Sequence, residues 1–239
     1  MKTKLLIVLF FTFQLAAFAD VIDTINHKKS ISAIAATTAH FRKQISLQLE
    51  AGTQGAGLDF RYGLFPRLST RVGASFIPLR ADNVLTLPGF QSTNNASVIF
   101  YNAHILADIV PFKNMRGLRV VAGGAYLYKA QGGLSISPTG SYHYGNTTVT
   151  GADIGSISMD VSWQGAAPYV GLGLFKSFPS HFFNFNLDIG TYYLNPPKTH
   201  IVGTGLLTEN YKLEPQFNEN LKDYRWLPVV QLNFNFKLK

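Results

Sequence analysis

The 239-residue chain has no cysteine. A disulfide framework, a thiolate metal centre and a cysteine nucleophile are therefore excluded. Charge is also scarce: Asp, Glu, Lys and Arg make up 14% of the residues, against about a quarter in an ordinary soluble domain. The 21 Lys and Arg outnumber the 13 Asp and Glu. They are scattered and form no Lys/Arg-rich stripe, so no nucleic-acid partner is expected. Past the N-terminal segment there is no run of about 18 apolar residues, which argues against a later transmembrane helix. No His or acid spacing suits zinc or calcium, and no cofactor or metal is expected. Gly171-Leu172-Gly173 lies within an alternating segment, so it reads as strand and not as a phosphate loop.

The N-terminus carries a short positive stretch, Met1-Lys2-Thr3-Lys4, then an apolar run from Leu5 to Phe13 and the small-residue site Ala17-Phe18-Ala19. This order predicts a signal peptide over residues 1–19, cleaved before Asp20. Asp20 to Lys43 is weakly patterned, and two readings stay open for it: a periplasmic tail or a small plug.

From residue 44 to 239 the dominant pattern has period two, the alternation of side chains across the two faces of a strand. Eight segments show it: 44–52, 57–65, 69–77, 98–112, 118–136, 166–178, 182–194 and 228–238. In the first, Ile45, Leu47, Leu49 and Ala51 oppose Gln44, Ser46, Gln48 and Glu50. In the seventh, Phe183, Phe185, Leu187 and Ile189 oppose Asn184, Asn186, Asp188 and Gly190. The connections alternate between short (around Pro66, Lys113 to Gly117, around Ser180) and long (80–97, 137–164, 195–227). The predicted class is all-β: an eight-stranded antiparallel transmembrane β-barrel with short periplasmic turns and longer extracellular loops. A soluble barrel or sandwich alternates equally but points its apolar face inward. The signal peptide and the glycines on the polar face favour the membrane, and the expected location is the cell outer membrane.

The inward face of such a barrel carries the acids Glu50, Asp59, Asp108 and Asp188 and the bases Arg61, Arg71, Arg119 and Lys129. An eight-stranded barrel is just wide enough for side chains to fill it, so these charges must pair. Counting residues from the turns predicts two clusters. Asp108 should bridge Arg71 and Arg119 near the periplasmic end, and Glu50, Asp59 and Arg61 should meet near the outer end. His104 also falls on the inner face, with Ser75 as a candidate cross-strand neighbour. It sits mid-barrel, below the rim where a lipid or peptide substrate arrives, and reads as a satisfied lumen histidine and not a catalytic base. Tyr126, Tyr128, Tyr192, Tyr193, Tyr224 and Trp226 are predicted near the outer rim as an interfacial girdle. The mixed charges Glu209, Lys212, Glu214, Glu219 and Lys222 read as a solvated loop, with a short helix closing on the barrel mouth as the alternative.

Several stretches resemble a group of uncharacterised outer-membrane β-barrel proteins of Gram-negative bacteria. They are Glu50-Ala51-Gly52-Thr53-Gln54-Gly55-Ala56-Gly57-Leu58, Pro138-Thr139-Gly140, Ala167-Pro168-Tyr169-Val170-Gly171-Leu172-Gly173, Asn186-Leu187-Asp188-Ile189-Gly190, Pro197-Lys198, and Leu221 to Val230. The resemblance implies the barrel fold and the outer-membrane location, and it implies no activity. Members end in an aromatic residue that the barrel assembly machinery reads, whereas this chain ends Phe236-Lys237-Leu238-Lys239, a departure that bears on insertion and not on fold. The expected role is structural or one of surface interaction, without enzymatic activity and with the lumen filled by side chains. The expected partners are outer-membrane lipids and lipopolysaccharide, with the assembly machinery during insertion. The alternatives are a narrow channel for small or apolar solutes and a lipid-modifying barrel enzyme.

Overall fold

The computed structural model describes Phe41 to Leu238, apart from Leu87, Lys113, Asn114 and Arg116. The signal-peptide reading for residues 1–19 lies outside the described residues. So does all of the 20–43 segment but its last three residues.

Eight long strands form a ring: β1 (Ile45–Gly52), β2 (Gly55–Phe65), β3 (Leu68–Asp82), β4 (Ser92–Ile109), β5 (Leu118–Pro138), β8 (Ile157–Leu174), β9 (Phe183–Tyr193) and β11 (Trp226–Lys237). Each pairs antiparallel with its neighbours, and the ring closes where β1 pairs with β11 and β8 with β9. Closure matters because hydrocarbon offers no water to satisfy an open strand edge. The short hairpin β6 (Ser141–Tyr144) and β7 (Thr147–Thr150), and β10 (Lys198–Gly203), lie in the long connections.

The alternation resolves the polarity of the sheet. Leu49, Phe60, Ile105 and Leu172 are 45%, 45%, 62% and 52% exposed, while Asp59, Arg61, Asp108 and Arg119 are 0% exposed. Apolar side chains thus form the outer belt and charged ones the interior, the inverse of a water-soluble barrel. Two glycines show why the polar face needs them. A Cβ on Gly73 would stand 1.8 Å from Asp59 Oδ1, and one on Gly173 would stand 2.5 Å from Arg119 Cζ. Both positions give their volume to a buried charged group.

The strands depart from the sequence reading in three places. First, much of what reads as long loop is sheet. β3 runs on to Asp82, β4 begins at Ser92 and β8 at Ile157, and β10 adds to the upper part of β8. The extensions of β3 (Pro78 to Asp82) and β4 (Ser92 to Ser97) carry little apolar alternation while their pairing persists, whereas the start of β8 keeps it, with Ile157, Met159, Val161 and Trp163 on one face. Second, Lys129 does not face the lumen. Tyr101 pairs with Lys129 but Asn102 with Leu127, so Tyr128 is an extra residue in β5. This bulge inverts the parity above it: Leu127 and Ala130 are buried, and Lys129 is exposed on the outer face. Third, Tyr192 belongs to the interior and not to the girdle. It is 0% exposed, with its ring 4.8 Å from that of Tyr169. Tyr126, Tyr128, Tyr224 and Trp226 are exposed as expected of a rim.

The mixed-charge stretch is helical, with a 3-10 helix over Gly205–Leu213 continuing into an α-helix over Glu214–Leu221. Its purpose lies in the edge of β10. The Thr199 amide donates to Asn218 Oδ1 (2.8 Å) and the Ile201 amide to Glu214 Oε1 (2.7 Å). Residues four apart on a helix share a face, and residues two apart on a strand share an edge, so the two spacings match. An open edge that would template pairing with another chain is thereby closed. At the other long connection Thr150 caps a one-turn helix over Gly151–Ile154, and its hydroxyl and backbone amide, both bonded to the Asp153 carboxylate, hold that acid below its ordinary pKa.

Replacing Glu214 and Asn218 together by alanine is expected to speed hydrogen exchange at the Thr199 and Ile201 amides by roughly tenfold. Exchange in β1 and β11 should be unchanged. Mass-spectrometric exchange in detergent measures both, and unaltered protection at those two amides would refute the edge-closing role.

Candidate functional site

The chemistry-bearing residues of the described chain converge in the lumen, in one connected network. Arg61 on β2 donates from Nη1 to Asp108 Oδ2 (2.5 Å) and from Nη2 to Gln48 Oε1 (2.6 Å). Arg119 on β5 reaches the other oxygen of Asp108 (2.7 Å), then Asp188 Oδ1 (2.7 Å) and Asn186 Oδ1 (2.9 Å). Arg71 on β3 spans the lumen to Asp188 Oδ2 (2.7 Å), which also accepts from Asn233 Nδ2 (2.9 Å). Arg71 Nε stands 3.8 Å from Asp59. Asp59 and Glu50 share the Gln48 amide, at 2.8 and 3.1 Å, and Gln231 donates to Glu50 from β11.

Asp108 bridges two arginines, but they are Arg61 and Arg119; Arg71 pairs with Asp188 instead. The two predicted clusters are a single one. Counting from the turns neglects the tilt and stagger of a barrel. It also neglects that Arg61 and Arg71 are direct cross-strand partners. Two guanidiniums on facing positions repel, so each turns to a different aspartate. Asp188, which the sequence places on the inner face without assigning a partner, anchors half the network.

His104 has both ring nitrogens engaged, Nδ1 with Asn102 Oδ1 (2.9 Å) and Nε2 with Asp59 Oδ1 (2.7 Å). Ser75, the expected neighbour, receives a bond from Asn102 Nδ2 instead (2.6 Å). Ligand atoms of Glu50, Asp59 and His104 lie within 4.8 Å of one another, the residue types that hold a divalent cation. The Gln48 donor already sits on both carboxylates, however, and Arg61 fixes that amide's orientation. The arrangement is that of a hydrogen-bonded cluster. Three guanidiniums oppose four carboxylates, and His104 Nε2 lies 2.7 Å from Asp59 Oδ1 and 3.6 Å from Glu50 Oε1.

Both ends of the network are covered. At the short-turn end Phe41 and Phe178, each buried, lie 5.3 Å apart, and the Arg61 guanidinium sits 5.9 Å above the Phe178 ring. At the outer end Phe100, Leu127, Tyr169, Tyr192, Leu194 and Val229 form an apolar plug. The tight β1–β2 turn folds Gln54 beneath it, where Oε1 accepts from Tyr192 OH (3.3 Å). The plug was missed in the sequence because its members come from five strands and a loop and share no motif. The inward parity of β8 did indicate Tyr169, whereas Tyr192, which shares the parity of Asp188 and Gly190, reads as girdle in the sequence.

No protein-family model matches the chain, and no characterised protein matches it by sequence. Solved structures do resemble it. The crystal structure of Acinetobacter baumannii CarO superposes with a TM-score of 0.60 at 25% identity, covering 81% of this chain and 97% of that one. Acinetobacter baumannii CarO2 gives a TM-score of 0.60 at 23% identity, over 82% and 98%. A major outer membrane protein from Thermus thermophilus is more distant, with a TM-score of 0.39 at 12% identity over 82% and 98%. The chain is an eight-stranded outer-membrane β-barrel: its apolar belt faces lipid, and its fold is that of the small outer-membrane barrels.

Asp108→Asn leaves two buried guanidiniums facing a neutral amide. Breaking a buried pair costs about 3–5 kcal/mol, which in a domain of this size lowers the unfolding temperature by on the order of 10 °C. Circular dichroism of the detergent-solubilised protein measures it, and an unchanged melting temperature would show that the bridge contributes little.

Proposed function

We propose that this barrel is closed, and that it acts through its lipid-facing wall and its outer surface, in membrane integrity or surface interaction, and not by conducting solutes through its lumen. The observation that carries this reading is the occluded interior. The ionic network joins β3 to β9 across the lumen, phenylalanines cover one end, and the apolar plug around Tyr169 and Tyr192 covers the other. A solute would have to displace both aromatic covers and part buried ion pairs, and a lone buried charge is costly. The occupied nitrogens of His104 and the diversion of Ser75 to Asn102 also support a role without catalysis, since a general base needs a free nitrogen beside its nucleophile.

Purified protein in planar lipid bilayers tests the reading. No discrete conductance steps above the protein-free control are expected at moderate voltage. A reproducible single-channel step from the wild-type barrel, heat-modifiable on a gel and so folded, would overturn it in favour of the channel.

A further inference from the structure

Above the lipid the wall is no longer a closed ring. β2 pairs with β3 only as far as Ala56 with Phe76, whereas β3 and β4 stay paired up to Asp82 with Asn95. β3, β4, β5, β8 and β10 therefore rise as an open sheet with two edges. The β10 edge is closed by Glu214 and Asn218. The β3 edge, residues 77–82, has no strand beside it, and residues 78–84 are all exposed.

The register settles which backbone groups face away from the sheet at that edge. The Asn83 amide donates to the Asn94 carbonyl (2.6 Å), so the odd-numbered residues of this segment bond to β4 and the even-numbered ones turn outward. The outward groups are the carbonyl of Pro78 and both the amide and the carbonyl of Arg80 and of Asp82. Among the described residues none of these groups has a partner. Proline suits its place, since its missing N–H falls on the unpaired side. β3 begins at Leu68. At about 3.3 Å per residue and a tilt of about 40°, Arg80 stands roughly 30 Å above it, past an apolar band of about 25 Å. The edge is thus clear of hydrocarbon. The β1–β2 turn reaches only as high as Ile77, which Gly55 abuts, and the line of β2 above that turn is open.

We propose that the β3 edge over residues 77–82 is a docking site for an extended segment of another protein, which adds to the sheet as an antiparallel strand. Main-chain bonds to Arg80 and Asp82 give the attachment, and side chains give the preference. Arg80 and Asp82 share the outer face with Phe76, while Leu79 and Ala81 share the inner face with Ser75. Asn95 holds the Asp82 carboxylate in place. A strand with a base opposite Asp82 and, two residues later, an acid opposite Arg80 meets both charges with their complements, and apolar residues in the alternate places face Ala81 and Leu79. A second copy of this chain does not fit. In one membrane both β3 strands run outward at a tilt of about 40°, so a two-fold axis along the membrane normal would cross the edges at about 80° instead of aligning them antiparallel. The site rests on the surface-interaction part of the proposed function and is independent of whether the lumen conducts.

The test uses the full barrel in detergent and two end-capped peptides, Thr-Lys-Val-Glu-Val-Thr and the same sequence with Lys and Glu exchanged. The first peptide should slow hydrogen exchange at the Arg80 and Asp82 amides by roughly tenfold. The Leu79 and Ala81 amides, already bonded to β4, should be unchanged. By fluorescence anisotropy the exchanged peptide should bind about tenfold more weakly. Arg80→Pro removes the outward amide and the charge without touching a bond to β4, and it should abolish binding. Lys198→Gln on β10 should leave binding unaltered, and heat-shift gels report folding of each variant. No slowing at Arg80 and Asp82 at millimolar peptide would overturn the site. So would equal affinity for the two peptides, or an Arg80→Pro barrel that binds as the wild type does. None of these outcomes bears on the conductance test of the closed lumen.

Discussion

Asp108 and Asp188 each hold two guanidinium groups, and much of this barrel can be understood from that pair of bridges. A sheet in hydrocarbon has to close, since no edge is tolerated there. Closing eight strands leaves an interior that side chains fill. If the outer face is given to lipid, the inner face receives the polar residues, and any charge there is stable only when paired and hydrogen-bonded. The path Arg61, Asp108, Arg119, Asp188, Arg71 runs through β2, β4, β5, β9 and β3. Gln48 and Asn233 extend it to β1 and β11. The remaining strand, β8, contributes Gly173, whose missing side chain leaves room for the Arg119 guanidinium. The network thus does for this interior what interdigitated aliphatic side chains do for a soluble core, with the difference that each contact is directional and specifies register.

That directionality explains what could be read from the sequence. The eight strands and their faces were legible because inward Asp and Arg alternate with outward apolar residues, as Asp59 does with Leu58 and Phe60. The partners were not. Pairing across a lumen depends on strand stagger and on the reach of each side chain, and neither leaves a trace in local periodicity. Arg71 shows this: its sequence neighbours place it inward and say nothing of Asp188, more than a hundred residues away. Lys129 shows a different failure. The alternation runs cleanly up β5 to Tyr126, but a single inserted residue at Tyr128 inverts everything above it, and a bulge has no obligatory sequence signature when the residue concerned is not glycine. The helix over Glu214–Leu221 stood only as the alternative to a solvated loop for a third reason: its bonds go to the β10 edge it closes, and it buries no residue as an apolar stripe of its own.

The same small residues serve opposite ends on the two faces of the wall. Inside, Gly73 and Gly173 make space for a carboxylate and a guanidinium. Outside, Ala74, Ala103, Ala107, Ala122 and Gly124 lie among the larger Leu, Ile, Val and Phe side chains of the belt. Inward glycine is explained by the network that occupies its volume. The asymmetry extends to the strands: β1 has 8 residues and β5 has 21, so the wall of β3, β4, β5 and β8 rises well beyond that of β1, β2 and β11. A barrel whose interior is spent on holding its own shape meets its surroundings through its outside, and the closed edge of β10 lies on that taller side.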